Sequence, residues 1–397
     1  FSGAGTGEFF TVKADDGTDF AAPHWKDKYG DGNLVKTDDD HTYPVAFVRN
    51  KVPHVAASIK LNPGQTGVRL KASNEDGFSL TTNPLTVPAD GIVEIPATSL
   101  GQPLPNTVFH YPAFKLTWEV SVNGGAWSRI GESRNPLFVL RRPPLLDVVA
   151  GDEQSTQMRY TLVHQSCVLA SGQSLDSEIT SYIGSMFINT NDGAKRMRFD
   201  AQTGTSETEL IYFYKNWQNT SVGDYLFNIH ALLSAPKIAA GAPDPACQCY
   251  VFSLMFRDML KIQGIPARSP IIAYYSSNLI DEGDIPYTSR QLLVMDWSFT
   301  GSGTNTMIGW PYFPSEYAAG ISLPGQNNSD TPHKFSNHCL VQLAAGEIYD
   351  PSYGTGPFNS LQQHDWASFQ GYERTNSPAA GVRNVQSFPE TKILLYK

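Results

Sequence analysis

Ala246-Cys247-Gln248-Cys249-Tyr250-Val251-Phe252 opens an apolar run that closes at Gly264-Ile265-Pro266-Ala267-Arg268. Val251, Met255, Met259 and Ile262 recur at helical spacing with Phe252 and Phe256 beside them, so one broad face is apolar. Arg257 and Lys261 stand four apart on another face. The pattern predicts an amphipathic helix packed on a core. Asp244-Pro245 supplies a cap and an early-turn proline, and Gly264 followed by Pro266 is a stop signal. A helix start offers unpartnered N–H groups and the positive end of the helix dipole, which favour a thiolate. Cys249 is therefore the candidate nucleophile, with Cys247 as the alternative thiol at the same helix start.

A second segment answers the first: His338-Cys339-Leu340-Val341-Gln342-Leu343, then Ala344-Ala345-Gly346, then Glu347-Ile348-Tyr349-Asp350-Pro351. Two short apolar runs around a small, Gly-containing turn predict a β-hairpin. With the turn centred between positions 344 and 345, His338 lies opposite position 351 and Asp350 falls within side-chain reach. A thiol, an imidazole to take its proton and a carboxylate to orient the imidazole make a nucleophilic set for acyl transfer. The predicted catalytic residues are thus Cys249, His338 and Asp350.

These residues resemble a known family. Gln248-Cys249-Tyr250-Val251-Phe252 through Gly264-Ile265-Pro266-Ala267-Arg268 is similar to the active-site helix of transglutaminases, roughly G-Q-C-W-V-F followed by G-I-P-[AT]-R. Pro266 lies 17 residues after Cys249, the offset the family uses, and this offset favours Cys249 over Cys247. Phe335-Ser336-Asn337-His338-Cys339-Leu340-Val341 resembles the F-H-C-W-V strand, and Tyr349-Asp350-Pro351 resembles D-P-T. Tyr250 stands where the family has Trp, and Cys247 where it has Gly. The resemblance covers roughly residues 160 to 360 and is specific only in these three islands.

The resemblance implies a papain-type α+β fold and a cysteine thioester formed on a protein glutamine. A lysine or other amine, or water, would resolve that thioester, giving cross-linking or deamidation. Protein or peptide partners follow: a glutamine donor and an amine acceptor. It also implies an upstream indole as an oxyanion donor, which points to Trp217, 32 residues before Cys249. A cysteine peptidase or amidase on the same fold, or a non-catalytic binding or structural protein, is the alternative reading.

The remaining cysteines, Cys167 and Cys339, lack the paired spacing of a zinc site, so no metal is expected at the thiols. Sequence leaves open whether Cys247 is a thiol or is bonded to Cys167 or Cys339. No cofactor is required by the proposed chemistry. Calcium, which many animal transglutaminases need, finds only weak candidates. Asp27-Lys28-Tyr29-Gly30-Asp31-Gly32 with Asp38-Asp39-Asp40 is acidic, but Tyr29 occupies a ligand position of a calcium loop; Asp281-Glu282-Gly283-Asp284 is the other.

The chain has 397 residues, enough for two or three domains, and a net charge of −9 with no dense Lys/Arg run, which argues against a nucleic-acid partner. No apolar stretch approaches the length of a membrane span. Abundant Gly, Pro, Tyr, Ser and Asn with few charges, and Phe1 rather than Met at the start, predict a processed chain that is secreted or at the cell surface. Asn219-Thr220-Ser221 and Asn327-Asn328-Ser329 match the glycosylation acceptor pattern.

Organisation changes near residue 150. Before it, short β-rich runs (45–48, 56–61, 68–72, 91–95, 114–122 and 127–130) alternate with turn signals, and Asn123-Gly124-Gly125 marks a hairpin. Residues 1–150 therefore read as an antiparallel β-sandwich of immunoglobulin-like type. Arg141-Arg142-Pro143-Pro144 reads as a linker, and 151–397 as the α+β catalytic domain. In that part a helix is expected over 175–187, strands over 269–275 and 291–297, and loops at 301–305 and 325–329.

Overall fold

Period-two alternation organises the first part of the chain into strands, and two paired segments, Val45–Val48 and Leu137–Leu140, are apolar on both faces. The computed structural model describes residues 1, 9–28, 40–146, 156–187, 197–199, 205–212, 229–234, 246–247, 249–275, 290–294, 334–335, 337–352, 354–361, 364, 369–374, 384–386 and 392–396. The N-terminal strands are β1 (Phe9–Thr11), β2 (Trp25–Lys26), β3 (His41–Thr42), β4 (Val45–Val48) and β5 (His54–Lys60). They are followed by β6 (Val68–Ser73), β7 (Ser79–Thr81), β8 (Ile92–Ser99), β9 (Phe109–Val122) and β10 (Ser128–Leu140).

A six-stranded sheet runs in the order β1-β4-β10-β9-β6-β7, while β5 pairs antiparallel with β8. The sheet is mixed rather than wholly antiparallel, because β4 lies parallel to β10, with Val45 opposite Leu137. The β9–β10 hairpin turns where expected. Asn123 and Gly124 both take positive φ (49° and 73°), and the Gly125 N–H donates to the Val122 carbonyl at 2.9 Å. Two positive φ values in succession match the right-handed strand twist.

Side chains on one face of this sheet, among them Val68, Leu70, Phe114, Leu116, Leu137 and Val139, share an apolar cluster with Val55 of β5 and with Val93 and Ile95 of β8. The opposite faces of β4 and β10 carry Ala46, Phe138 and Leu140 into a second cluster, which holds the helices. That is why Val45–Val48 and the β10 end Leu137–Leu140 read as continuous apolar runs: each is buried on both sides.

The helices are α1 (Tyr160–Leu169), α2 (Asp176–Ser185), α3 (Ile229–Ser234) and α4 (Cys249–Ile262). Between α2 and α4 lie β11 (Met197–Phe199), β12 (Ser206–Glu209), β13 (Ile211–Tyr212) and β14 (Ala246–Cys247). Helix α2 falls inside its predicted span with Asp176 and Glu178 in its first turn, where they complement the dipole. Helix α1 escapes sequence reading because its polar residues Thr161, His164, Gln165 and Ser166 are buried along with its apolar ones.

Helix α4 departs from the amphipathic expectation in the same way. Every residue from Val251 to Ile262 is buried, including Ser253, Arg257, Asp258 and Lys261. The polar residues are accommodated by pairing. Asp258 accepts from Arg257 Nε at 2.8 Å and from the Thr156 hydroxyl at 2.9 Å. Its C-terminal end is a Schellman motif: the Ile265 N–H donates to the Leu260 carbonyl and the Gly264 N–H to the Lys261 carbonyl, with Gly264 at φ 73°.

The predicted linker is packed against that helix end. Arg141 is buried; its N–H donates to Gln263 Oε1 at 3.0 Å, its Nε donates to the Ser174 carbonyl at 3.0 Å, and its guanidinium pairs with Asp176. The Leu145 N–H donates to the Lys261 carbonyl at 2.9 Å. The predicted boundary at residue 150 itself lies outside the described residues.

The C-terminal strands are β15 (Ala267–Arg268), β16 (Ile271–Tyr275), β17 (Arg290–Val294), β18 (Lys334–Phe335) and β19 (Asn337–Cys339). Then follow β20 (Val341–Leu343), β21 (Ile348–Asp350), β22 (Thr355–Phe358), β23 (Phe369–Arg374), β24 (Asn384–Gln386) and β25 (Lys392–Tyr396). They form sheets β15-β20-β21-β22, β19-β16-β25 and β18-β17-β23-β24. The expected loops at 301–305 and 325–329 lie outside the described residues. No helix among the described residues is long and apolar enough to cross a membrane.

Candidate active site

Helix periodicity aims Cys249. Cys249 and Ser253 are four residues apart and share a face of α4. The Ser253 hydroxyl donates to the Cys339 carbonyl at 2.8 Å, which fixes that face against β19. Cys249 stands one turn earlier, in the first turn of the helix, where backbone N–H groups have no intrahelical acceptor. It is 7% exposed, and its thiol interacts with the imidazole of His338 on β19.

His338 is held by strand pairing opposite Ile272 of β16. At Leu340 the chain changes sheets. The Leu340 N–H donates to the Pro270 carbonyl at 3.0 Å, and β20 then pairs with β15 and β21. The hairpin register is one residue away from the predicted one: Val341 lies opposite Tyr349 and Gln342 opposite Ile348. A strict two-strand ladder would not tolerate such a slip, since it exchanges faces. The break at Leu340 separates β19 from that ladder, and His338 and Asp350 meet regardless.

Nε2 of His338 lies 2.7 Å from Asp350 Oδ2, and Nε2 of His364 lies 3.1 Å from the same oxygen. The Ser352 N–H donates to Asp350 Oδ1 at 3.1 Å. All three ionisable side chains are fully buried. Burial alone raises a carboxylate, but His338 and His364 outweigh it and hold Asp350 well below the usual range. Burial likewise pulls His338 down, yet Asp350 and then Cys249 raise it to about 10. An ionised carboxylate only accepts, so both imidazoles present N–H at Nε2. Nδ1 is then the ring nitrogen through which His338 can exchange a proton with the thiol.

His338, Asp350 and His364 place one ligand atom each within 4.8 Å of one another, a spacing open to a metal ion. The finer geometry is that of hydrogen bonds. Ligands of a tetrahedral ion with bonds near 2.0 Å stand about 3.3 Å apart, whereas His338 Nε2 and Asp350 Oδ2 are 2.7 Å apart.

Of the residues singled out in sequence, Cys249, His338 and Asp350 are brought together. Trp217 lies outside the described residues, as do Asp244-Pro245, both glycosylation patterns and Asp281–Asp284. Of the first calcium candidate, Asp40 is buried and accepts from the Lys28 N–H at 2.8 Å, and 29–39 lie outside. Cys167 and Cys339 are thiols, which removes them as disulfide partners for Cys247. Burial pushes Cys167 up to about 12 and raises Cys339 as well. His364 was not singled out. A lone histidine in Gln362-Gln363-His364-Asp365-Trp366 carries no periodic or spacing signal.

No protein-family model matches the chain, and no curated protein matches it in sequence. Among solved structures it is similar to a red sea bream transglutaminase at 13% identity and a TM-score of 0.31, over 77% of this chain and 49% of that one. The chain thus spans about half the length of that structure. A likeness at this TM-score carries no weight for fold or activity.

Proposed function

We propose that this chain is a thiol-dependent acyltransferase acting on protein glutamine, with an N-terminal β-sandwich and a transglutaminase-like α+β catalytic region. Cys249 is its nucleophile, His338 its acid–base and Asp350 the orienter of His338. The observation that carries the reading is the 2.7 Å contact of His338 Nε2 with a buried carboxylate while the Cys249 thiol acts on the same ring.

In this reading His338, held protonated beside Asp350, already carries the thiol proton at Nδ1, and the thiolate sulfur of that pair adds to the carboxamide carbon. The oxyanion is met by the backbone N–H of Cys249 at the helix start, with Trp217 as the proposed second donor. The C–N bond breaks, His338 returns the proton to the departing ammonia, and a thioester remains on Cys249. An amine then attacks, His338 takes its proton, and the C–S bond breaks to leave an isopeptide; water in place of the amine leaves glutamate. No cofactor is needed for any step. The substrates are secreted or surface-exposed proteins, in keeping with the composition.

The test is incubation with a glutamine-containing casein and a fluorescent primary amine while released ammonia is measured. Amine incorporation with ammonia supports transfer, and ammonia alone supports deamidation. Cleaved casein without either shows a peptidase and overturns the proposal.

A further inference from the structure

His364 has no place in the three-residue set above, yet it is fully buried and aims Nε2 at the very oxygen that His338 uses. It is built in. Its backbone N–H donates to the Ser360 carbonyl at 3.1 Å, its ring meets Phe358 edge-on at 5.2 Å, and it lies nearly parallel to His338, 9° apart in plane at 6.4 Å. A surface histidine caught by chance would have none of these restraints.

We propose that His364 is a positioning residue that shares Asp350 Oδ2 with His338 and so limits how tightly the carboxylate holds the His338 proton. The inference rests on the function proposed above. The physical reason is competition. Two donors on one oxygen each draw on the same lone-pair density, so each bond is weaker than it would be alone. A protonated His364 would act in the same direction through like-charge repulsion. An imidazole too firmly protonated is a poor partner for a thiol that must give up its proton and a leaving amine that must receive it, because transfer is fastest when the acid–base group titrates near the working pH. His364 therefore keeps His338 exchangeable.

Other groups acting on this cluster include the Ser352 N–H, which donates to Asp350 Oδ1, Cys249 from α4, which acts on His338, and Cys339 beside it, which in turn feels Cys249, Arg257 and Asp350. None of them contacts Asp350 Oδ2 in the way His364 does.

The test compares full-length wild type, His364→Phe and His364→Gln by proton NMR of the His338 Nε2–H, assigned by its loss in His338→Gln, and by turnover. In His364→Phe the His338 resonance should move downfield and its titration midpoint rise by about 0.5–1 pH unit. Turnover should fall about tenfold through kcat with KM held. His364→Gln, whose amide keeps a donor, should stay near wild type in all three. If the phenylalanine variant does not fold, His364→Leu reads the same quantities. An unchanged or upfield resonance in a folded variant overturns the proposal, and so does stoichiometric zinc uptake that requires His364. The NMR readout does not depend on turnover. A downfield move in a protein with no acyl transfer would therefore sink the proposed activity and leave the shared carboxylate standing.

Discussion

Replacing Asp350 with Asn keeps the shape of the side chain and removes its charge. Oδ2 now accepts from two imidazoles at 2.7 and 3.1 Å, and Oδ1 from the Ser352 N–H at 3.1 Å. The amide offers one accepting oxygen and one NH2 group, so one buried donor always faces another. If the NH2 takes the Oδ2 place, His338 must turn an unprotonated Nε2 toward it, and its proton moves to Nδ1, where it blocks acceptance of the thiol proton. A lost buried partner costs about 1–3 kcal/mol, and breaking a buried charge pair brings the total to about 3–5 kcal/mol. Turnover should fall about 10³–10⁴-fold. The assay is urea unfolding of Cys249→Ala with and without Asp350→Asn, a background that removes the thiol from the proton count. In the folded wild type His338 is raised to about 10 against an ordinary 6.5, chiefly by Asp350 once burial is overcome. The folded state thus keeps a proton that the unfolded chain releases above 6.5. This stabilisation is complete below pH 6.5 and is lost as pH rises through the folded value. The stability gap between the two proteins should therefore be widest near pH 6 and narrow toward pH 10. A gap that is constant or widens over that range would refute the coupling.

Brief iodoacetamide treatment near neutral pH should label Cys249 ahead of Cys167 and Cys339, both of which burial raises; mass mapping reads the order. Gly264→Ala should destabilise by about 1–3 kcal/mol in a denaturant melt, because φ is 73° and an added Cβ would stand 2.6 Å from Arg142 Cβ and 2.9 Å from the Pro143 carbonyl oxygen. A chain starting at Thr156 should bind a hydrophobic dye and lack a cooperative melt. It would lose Val12, Ala46, Val108, Phe138 and Leu140 from the helical cluster, with the larger of these worth about 1.5–3 kcal/mol each.

The sequence made legible what local chemistry controls. The N-terminal strands follow from alternation, the β9–β10 turn from Asn-Gly, and the end of α4 from a glycine that only a Schellman cap explains. That Cys249, His338 and Asp350 lie near one another was legible because a helix start, a strand and a strand end each confine a side chain to a predictable place. What depends on distant parts of the chain was not legible. The parallel pairing of β4 with β10 joins residues far apart in sequence, and no local pattern encodes it. Helix α1 buries its polar residues, so its period marks no solvent face, and Arg257 and Lys261 suggested an exposed face on α4 that Asp258 and tertiary packing remove. The hairpin register departs from the expected one where the chain breaks at Leu340, whose N–H is taken by the Pro270 carbonyl between β15 and β16, a partner no local pattern encodes. His364, whose N–H closes a helical bond to the Ser360 carbonyl, reaches Asp350 through tertiary packing, which spacing cannot foresee.

The proposed chemistry requires a thioester on Cys249, and that thioester can be captured. The protein is mixed with a glutamine peptide in the absence of amine, quenched in acid within seconds, digested and mapped by mass. The account predicts the peptide's mass less ammonia on the fragment holding Cys249, with no adduct in Cys249→Ala and slower formation in His338→Ala. Ammonia released with the adduct on another residue, or with none and undiminished in Cys249→Ala, would contradict it.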